Sequence, residues 1–280
     1  LENVAVRVRM SQHEDETAEY CHWMIPATHH LESWGDARAY DGTVTVVQPL
    51  IDPIYGSRSP HELMAVLNGQ PERSGYDIVR AHWQARWDAG QVDRAAGLTF
   101  EQFWRRIVHD GLVPGSAAAP VQAAPVADWD PGVTADTAGD LELLFRPDPT
   151  IWDGRFANNG WMQELPKPLT KLTWDNAALI SPATAERLGV ESNQMLQLAV
   201  GEASITVPAW VMPGHADDSI TVTLGYGRTR AGRVGNGTGF DVTPVRSSGS
   251  MWQVGQVAAT AVSQRYELAS TQMHSSMEGR

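Results

Sequence analysis

Paired amides are the side chains best suited to bind the edge of a flat polar ring. The segment Asn158-Asn159-Gly160-Trp161-Met162-Gln163-Glu164 holds two asparagines, a glutamine and a glutamate in close succession. Amides both donate and accept hydrogen bonds, so this set suits a pterin or a guanine. Asparagine also tolerates the left-handed backbone of turns, so Asn158 and Asn159 are equally compatible with a plain turn.

A second candidate is the glycine turn Gly225-Tyr226-Gly227, which Arg228, Arg230 and Arg233 follow. Guanidinium groups beside such a turn could hold a pyrophosphate with paired hydrogen bonds. Glycines at this density allow positive φ and close backbone approach, either to a ligand or at the corners of a barrel. The arginines are equally consistent with a solvated edge.

Histidines and the lone cysteine indicate little metal or redox chemistry. His29 and His30 with Glu32 could ligate a metal, but adjacent strand side chains point to opposite faces, so we predict no metal site. A single cysteine, Cys21, excludes an internal disulfide and a Cys-based iron–sulfur cluster within these residues, and we expect a buried thiol. No Gly-x-Ser-x-Gly elbow is present, so no hydrolytic triad is predicted.

Composition limits the classes of partner. The 280 residues carry a net charge of −12 and are 42% hydrophobic, as in an ordinary globular protein. That acidity argues against nucleic acid and against docking on an anionic bilayer. No run approaches the roughly 18 apolar residues of a membrane span. Because Leu1 leads straight into a strand pattern with no signal peptide, we expect a fragment of a longer protein.

The first part of the chain mixes strands and capped helices. Strands are predicted at Val4–Met10, His22–Ile25 and Thr43–Val47, followed by helices with capping boxes at Ser59 and Thr99. The helix of residues 77–89 carries an apolar stripe of Val79, Trp83 and Trp87. The Ala/Pro-rich residues after 115 are typical of a linker.

The second part is predicted to be mostly short strands. Ser181-Pro182 begins a helix that Gly189 ends, and strands are expected at Leu141–Phe145, Met195–Val200, Ser204–Val207, Ile220–Leu224 and Phe240–Val245. Short strands with glycine turns favour a closed barrel. The predicted organisation is therefore an α/β segment over 1–115, a linker over 116–127, a six-stranded barrel over 128–262 and a connector over 263–280.

The order of these segments resembles a known family, the molybdopterin oxidoreductases, and most closely the large iron–sulfur subunit of alternative complex III. The likeness rests on four ordered stretches that, with their flanks, span nearly the whole chain: Thr28–Asp36, Asn158–Pro166, Leu224–Arg228 and His274–Arg280.

This resemblance implies a double-psi-like, dinucleotide-binding barrel and a role in a membrane-associated respiratory quinol oxidoreductase, on the periplasmic face and among other subunits. It makes His29, His30, Glu32 and Trp34 cleft residues, although a packing loop is equally consistent. It also gives a direct or vestigial cofactor role to the polar and glycine residues of the second part: Asn158, Asn159, Gln163, Glu164, Asn176, Gly225, Tyr226, Gly227 and Arg228.

Within the family, alternative complex III is thought to carry no molybdenum cofactor in this domain. Its iron–sulfur clusters are expected in a region after residue 280. The resemblance therefore implies a scaffold with no catalytic residue of its own. Two alternatives remain open: a catalytic molybdenum enzyme with bis-molybdopterin guanine dinucleotide, and a barrel used only for subunit contacts.

Overall fold

The computed structural model describes residues 1–93, 97–126 and 139–271. The chain divides into two compact units. Unit 1 comprises Leu1–His13 and Thr17–Trp129, and unit 2 comprises Glu14–Glu16 and Asp130–Arg280. Residues 116–126 of the predicted linker contain no helix or strand. The predicted boundary between linker and barrel, at 127/128, lies outside the described residues, as do residues 272–280 of the predicted connector.

Unit 1 contains two small sheets. Strands β1 (Val8–Ser11) and β2 (Trp23–Pro26) pair in parallel, while β3 (Gly35–Arg38) and β4 (Val44–Val47) pair antiparallel. The predicted strand Val4–Met10 is wrong at its start, because pairing begins at Val8 and Val6 is 70% exposed. Cys21 is half-buried, not buried as expected.

Three helices complete unit 1: α2 (Pro60–Leu67), α3 (Gly75–Asp88) and α4 (Phe100–Asp110), after the short α1 (Glu16–Glu19) at the unit boundary. Capping boxes at Ser59 and Thr99 are present as predicted, since each needs only residues three positions apart. Helices α3 and α4 bury an aromatic-rich core against β4, formed by Val44, Val46, Val79, Trp83, Phe100, Phe103, Trp104, Ile107 and Val113.

Unit 2 is built on one seven-stranded mixed sheet with the order β10-β5-β9-β6-β8-β7-β11. Its strands and helices are β5 (Glu142–Arg146), α5 (Gly160–Glu164), β6 (Ala178–Ile180), α6 (Pro182–Leu188), β7 (Gln194–Val200), β8 (Ala203–Val211), β9 (Ser219–Thr223), β10 (Gln253–Val254) and β11 (Ala258–Arg265). Neighbours β5–β9 and β6–β8 are parallel, and the other pairs are antiparallel.

The expected closed barrel is not what the described residues form. Strands β10 and β11 lie at opposite edges of the sheet, so the sheet stays open. Residues 240–245 are not a strand: Asp241 turns the chain by accepting from the Thr243 backbone, and Thr243–Val245 forms a single 3₁₀ turn. Strand β11 also extends into the predicted connector as far as Arg265.

The core of unit 2 consists of the inward faces of these strands. Leu143, Phe145, Leu196, Leu198 and Ile220 are all fully buried. Helix α6 begins at the Ser181 cap and ends at Gly189 in the left-handed conformation, as predicted. Among the described residues, no helix has the length and apolar character needed to cross a membrane.

Candidate functional site

The glycine turn after β9 packs against the protein's own backbone. Gly225 has φ +96°, and a Cβ there would lie 2.3 Å from the Gly154 nitrogen. Gly227 has φ +70°, and a Cβ there would lie 2.1 Å from the Asp241 nitrogen. Both glycines are therefore required by chain packing, and they fix the course of the loop that carries Arg228.

Arg228 binds a carboxylate of the same unit. Its Nη2 donates to Glu16 Oε2 at 2.6 Å, its Nε donates to Oε1 at 3.3 Å, and its Nη1 donates to the Gly154 carbonyl at 2.9 Å. The backbone N–H groups of Thr229 and Arg230 also donate to Glu16 Oε1, at 3.0 and 2.9 Å. The hydrogen bonds from Arg228 lower the pKa of Glu16 to about 2.

The groove around this ion pair has a volume of about 370 Å³ and mixed charge. The charged side chains of its lining are Glu16, Asp153, Asp241, Arg228 and Arg246. Three carboxylates thus face two guanidiniums, a balance that does not favour a pyrophosphate. Arg233, the third arginine of the sequence pattern, is exposed and is not part of the lining.

The paired amides are engaged within the chain. Asn158 Oδ1 accepts from the Val234 nitrogen at 3.3 Å, and Asn159 caps α5 by accepting from the Met162 nitrogen at 3.2 Å. Gln163 is completely buried and donates to the Ala157 carbonyl at 3.0 Å, while Glu164 is exposed. The Oε1 of Gln163 has no hydrogen-bond partner and is the one buried amide atom of this set left unbonded.

Asn176 clamps two segments of unit 2 together. Its Nδ2 donates to the carbonyls of Thr223 and Phe240, each at 3.0 Å, and its Oδ1 accepts from the Phe240 nitrogen at 2.8 Å. Both N–H donors of the amide are used in these bonds, and one lone pair of Oδ1 remains. Its main role in this arrangement is to hold the end of β9 beside residue 240.

A buried charge cluster lies next to the glycine turn. Lys167 and Asp148 are 6% and 0% exposed, with Nζ and Oδ2 separated by 3.7 Å. Lys167 Nζ also donates to the Tyr226 hydroxyl at 2.9 Å, and Asp148 Oδ1 accepts from both the nitrogen and the hydroxyl of Thr150. Burial lowers the pKa of Lys167, opposed by the nearby Asp148, and burial raises the pKa of Tyr226.

Lys167 also lines a cavity of about 200 Å³ with mostly apolar walls. The walls include Pro149, Leu169, Leu172, Leu179 and Met212, with Asp175 as a second ionisable group. Burial raises the pKa of Asp175, although the Tyr266 hydroxyl, donating at 3.1 Å, works in the opposite direction.

Backbone strain accompanies this cluster. Trp152, Lys171 and Trp174 all have positive φ, at 62°, 59° and 65°. Bulky residues rarely adopt this conformation, which costs on the order of 1–3 kcal/mol each. Such strain persists only where surrounding contacts enforce it, so the backbone conformation of residues 148–176 is fixed by the contacts around it.

The cluster was missed by sequence reasoning, although two local signals were available. Asp148-Pro149-Thr150 is a turn pattern in which an aspartate accepts from the residue two positions on. Lys167 is one of only two lysines in the chain, between two prolines. Neither signal shows that Tyr226, far along the sequence, joins them.

The predicted cleft residues of unit 1 serve packing and turn formation. Glu32 accepts from the nitrogens of His29 and Ile54, which lowers its pKa. The His29 and His30 rings lie 3.9 Å apart between centroids, and Trp34 packs edge-on against Tyr76. Within the described ranges, no group of three or more His, Cys, Asp or Glu side chains could hold a metal ion.

These observations test whether the residues fit a pterin dinucleotide. A phosphate at Arg228 would have to displace the Glu16 carboxylate, and a pterin edge at Asn176 would find both amide N–H donors already used. As arranged here, the residues predicted to bind the cofactor do not fit it.

Comparison with known proteins supports a fold likeness. No protein-family model and no curated protein matches the chain. Among solved structures it is similar to acetylene hydratase from Pelobacter acetylenicus, with a TM-score of 0.51 and 15% identity. The match covers 80% of this chain and 33% of the neighbour, so the chain spans about a third of that protein's length. At this identity the likeness shows a shared fold and nothing more specific.

Proposed function

We propose that this chain is part of the large subunit of a respiratory, membrane-bound quinol oxidoreductase, related to alternative complex III, and that it acts there as a scaffold. The fold likeness supports an oxidoreductase-like framework. The four ordered stretches of the sequence resemblance give the narrower family.

The observation that carries the scaffold role is the engagement of Arg228 by Glu16. A guanidinium that already makes a charge-assisted pair and a carbonyl bond has little capacity left for a cofactor phosphate. Asn176 is similarly occupied. In this proposal the polar groups of unit 2 bind one another and serve the scaffold.

In the parent protein, the proposal assigns electron transfer to regions beyond this chain. Quinol gives up two electrons and two protons, and the electrons pass through iron–sulfur clusters to a cytochrome or an oxidase. This chain has one cysteine, so those clusters need other residues. The partners would be other subunits of the complex, on the periplasmic face, with no nucleic acid involved.

The competing proposal is a catalytic molybdenum enzyme that binds bis-molybdopterin guanine dinucleotide. It requires Arg228 to exchange Glu16 for a phosphate. A third proposal, a subunit-contact domain without a redox partner, draws support from exposed apolar side chains such as Trp161 and Leu169, which are 87% and 81% exposed.

Growth on tungstate separates these proposals, because tungsten replaces molybdenum in pterin enzymes and generally inactivates them. The parent complex would be purified from cells grown on molybdate and on tungstate, and quinol oxidation by an electron acceptor measured. We expect equal activity in both preparations. Activity lost on tungstate would favour the catalytic alternative, and no quinol oxidation in either would favour the subunit-contact domain.

A further inference from the structure

The loop from Gly225 to Arg230 has the geometry of an oxyanion-binding site. Two nitrogens of the Arg228 guanidinium and the successive backbone N–H groups of Thr229 and Arg230 all donate to one carboxylate, at 2.6 to 3.3 Å. Successive N–H groups of this kind form a concavity that binds anions. The anion present is the side chain of Glu16.

We propose that Glu16 is the resident ligand of this oxyanion site and that it excludes phosphate-bearing molecules from the groove. Glu16 is far from the loop in sequence, 212 residues before Arg228. The three residues Glu14–Glu16 belong to unit 2, whereas the chain on both sides of them belongs to unit 1. The proposal concerns the loop alone and does not rest on the quinol function.

The site should keep its shape when the Glu16 carboxylate is removed. Arg228 is held independently, because its Nη1 donates to the Gly154 carbonyl at 2.9 Å. The backbone is held by the close approaches of Gly225 to Gly154 and of Gly227 to Asp241. None of these contacts involves Glu16. An emptied site would therefore present the same donors to another oxyanion, in a groove of about 370 Å³.

The test is binding of pyrophosphate to the intact protein and to an E16A variant, measured by calorimetry and by ³¹P NMR. Pyrophosphate carries the chemistry shared by nucleotides and dinucleotide cofactors, and acetate serves as a carboxylate probe. The matched control is E202Q, which removes one exposed carboxylate in the turn between β7 and β8. The double variant E16A/R228M tests whether binding uses the guanidinium.

We expect E16A to bind pyrophosphate at least about tenfold more tightly than the native protein or E202Q does. Added R228M should abolish the gain. Acetate should raise the melting temperature of E16A and leave that of the native protein unchanged. Equal binding to native protein and E16A, or no binding to folded E16A, would overturn the proposal. If E16A folds poorly, its refolding yield is measured with and without pyrophosphate. A yield that pyrophosphate does not increase would also overturn the proposal.

Discussion

Replacement of Lys167 by methionine tests the energetics of the buried cluster. Methionine keeps most of the side-chain volume but removes the ammonium group, leaving the fully buried Asp148 carboxylate without its counter-charge. The Tyr226 hydroxyl loses its donor as well. Breaking a buried ion pair from one side costs about 3–5 kcal/mol. We therefore expect K167M to destabilise unit 2 by about that amount.

Two further variants separate charge from packing. K171M removes a half-buried lysine four positions away, whose Nζ donates to the Pro168 carbonyl at 2.8 Å. It should lower the free energy of unfolding by at most about 1 kcal/mol. The double variant D148N/K167M leaves no unpaired charge. Because Asp148 Oδ1 accepts from Thr150, an asparagine can keep those bonds, and the double variant should be less destabilised than K167M.

Hydrogen–deuterium exchange in the intact protein measures these differences locally. Some amides of β5 and β9 exchange through opening of unit 2. If the free energy of that opening falls by about 3 kcal/mol, these amides should exchange at least about a hundredfold faster. Exchange in K167M that matched K171M within about tenfold would refute the reasoning, and so would a double variant less stable than K167M alone.

Three other changes follow from single contacts. G227A should lower the free energy of unfolding by several kcal/mol, since its Cβ would meet the Asp241 backbone. G237A, at φ +71° with open space around it, should lower it by about 1 kcal/mol. The two melting temperatures are compared, and equal shifts would contradict the packing argument. N176D should lower the free energy of unfolding in urea by about 2–3 kcal/mol, because a carboxylate would face the carbonyls of Thr223 and Phe240. An unchanged urea midpoint would show that these hydrogen bonds are dispensable. Because the pKa of Glu16 is about 2 in the folded protein and 4.5 as a free side chain, its stabilisation is complete above about pH 5 and is lost as pH falls from 4.5 towards 2. With the side chain about one-third exposed, solvent screening limits this to about 1–2 kcal/mol, and E16Q should reduce the acid dependence of unfolding; an identical pH profile would argue against the ion pair.

Features set by neighbouring residues could be predicted from the sequence. The caps at Ser59, Thr99 and Ser181 depend on side chains within three positions, and each was predicted. The strands Gln194–Val200 and Ser219–Thr223 follow from dense apolar and β-branched residues. The sheet's openness could not be derived, because alternation indicates that a strand exists and says nothing about its partners.

The site depended on contacts that no local pattern encodes. Arg228 and the glycine turn were identified as candidate binding residues, but their partner Glu16 lies at the other end of the chain. Lys167 meets Tyr226 across 59 residues. The amides of residues 158–164 were predicted to bind a ring edge. In the structure they cap a helix and make hydrogen bonds to the backbone.

The most direct test of the central claim is the molybdenum and pterin content of the purified full-length protein. Metal would be measured by mass spectrometry and pterin by fluorescence after oxidative release, both relative to polypeptide. If the polar groups of unit 2 bind one another in place of a cofactor, both contents should be far below one per polypeptide. Values close to one or two pterins with one molybdenum would contradict the scaffold role and favour the catalytic alternative.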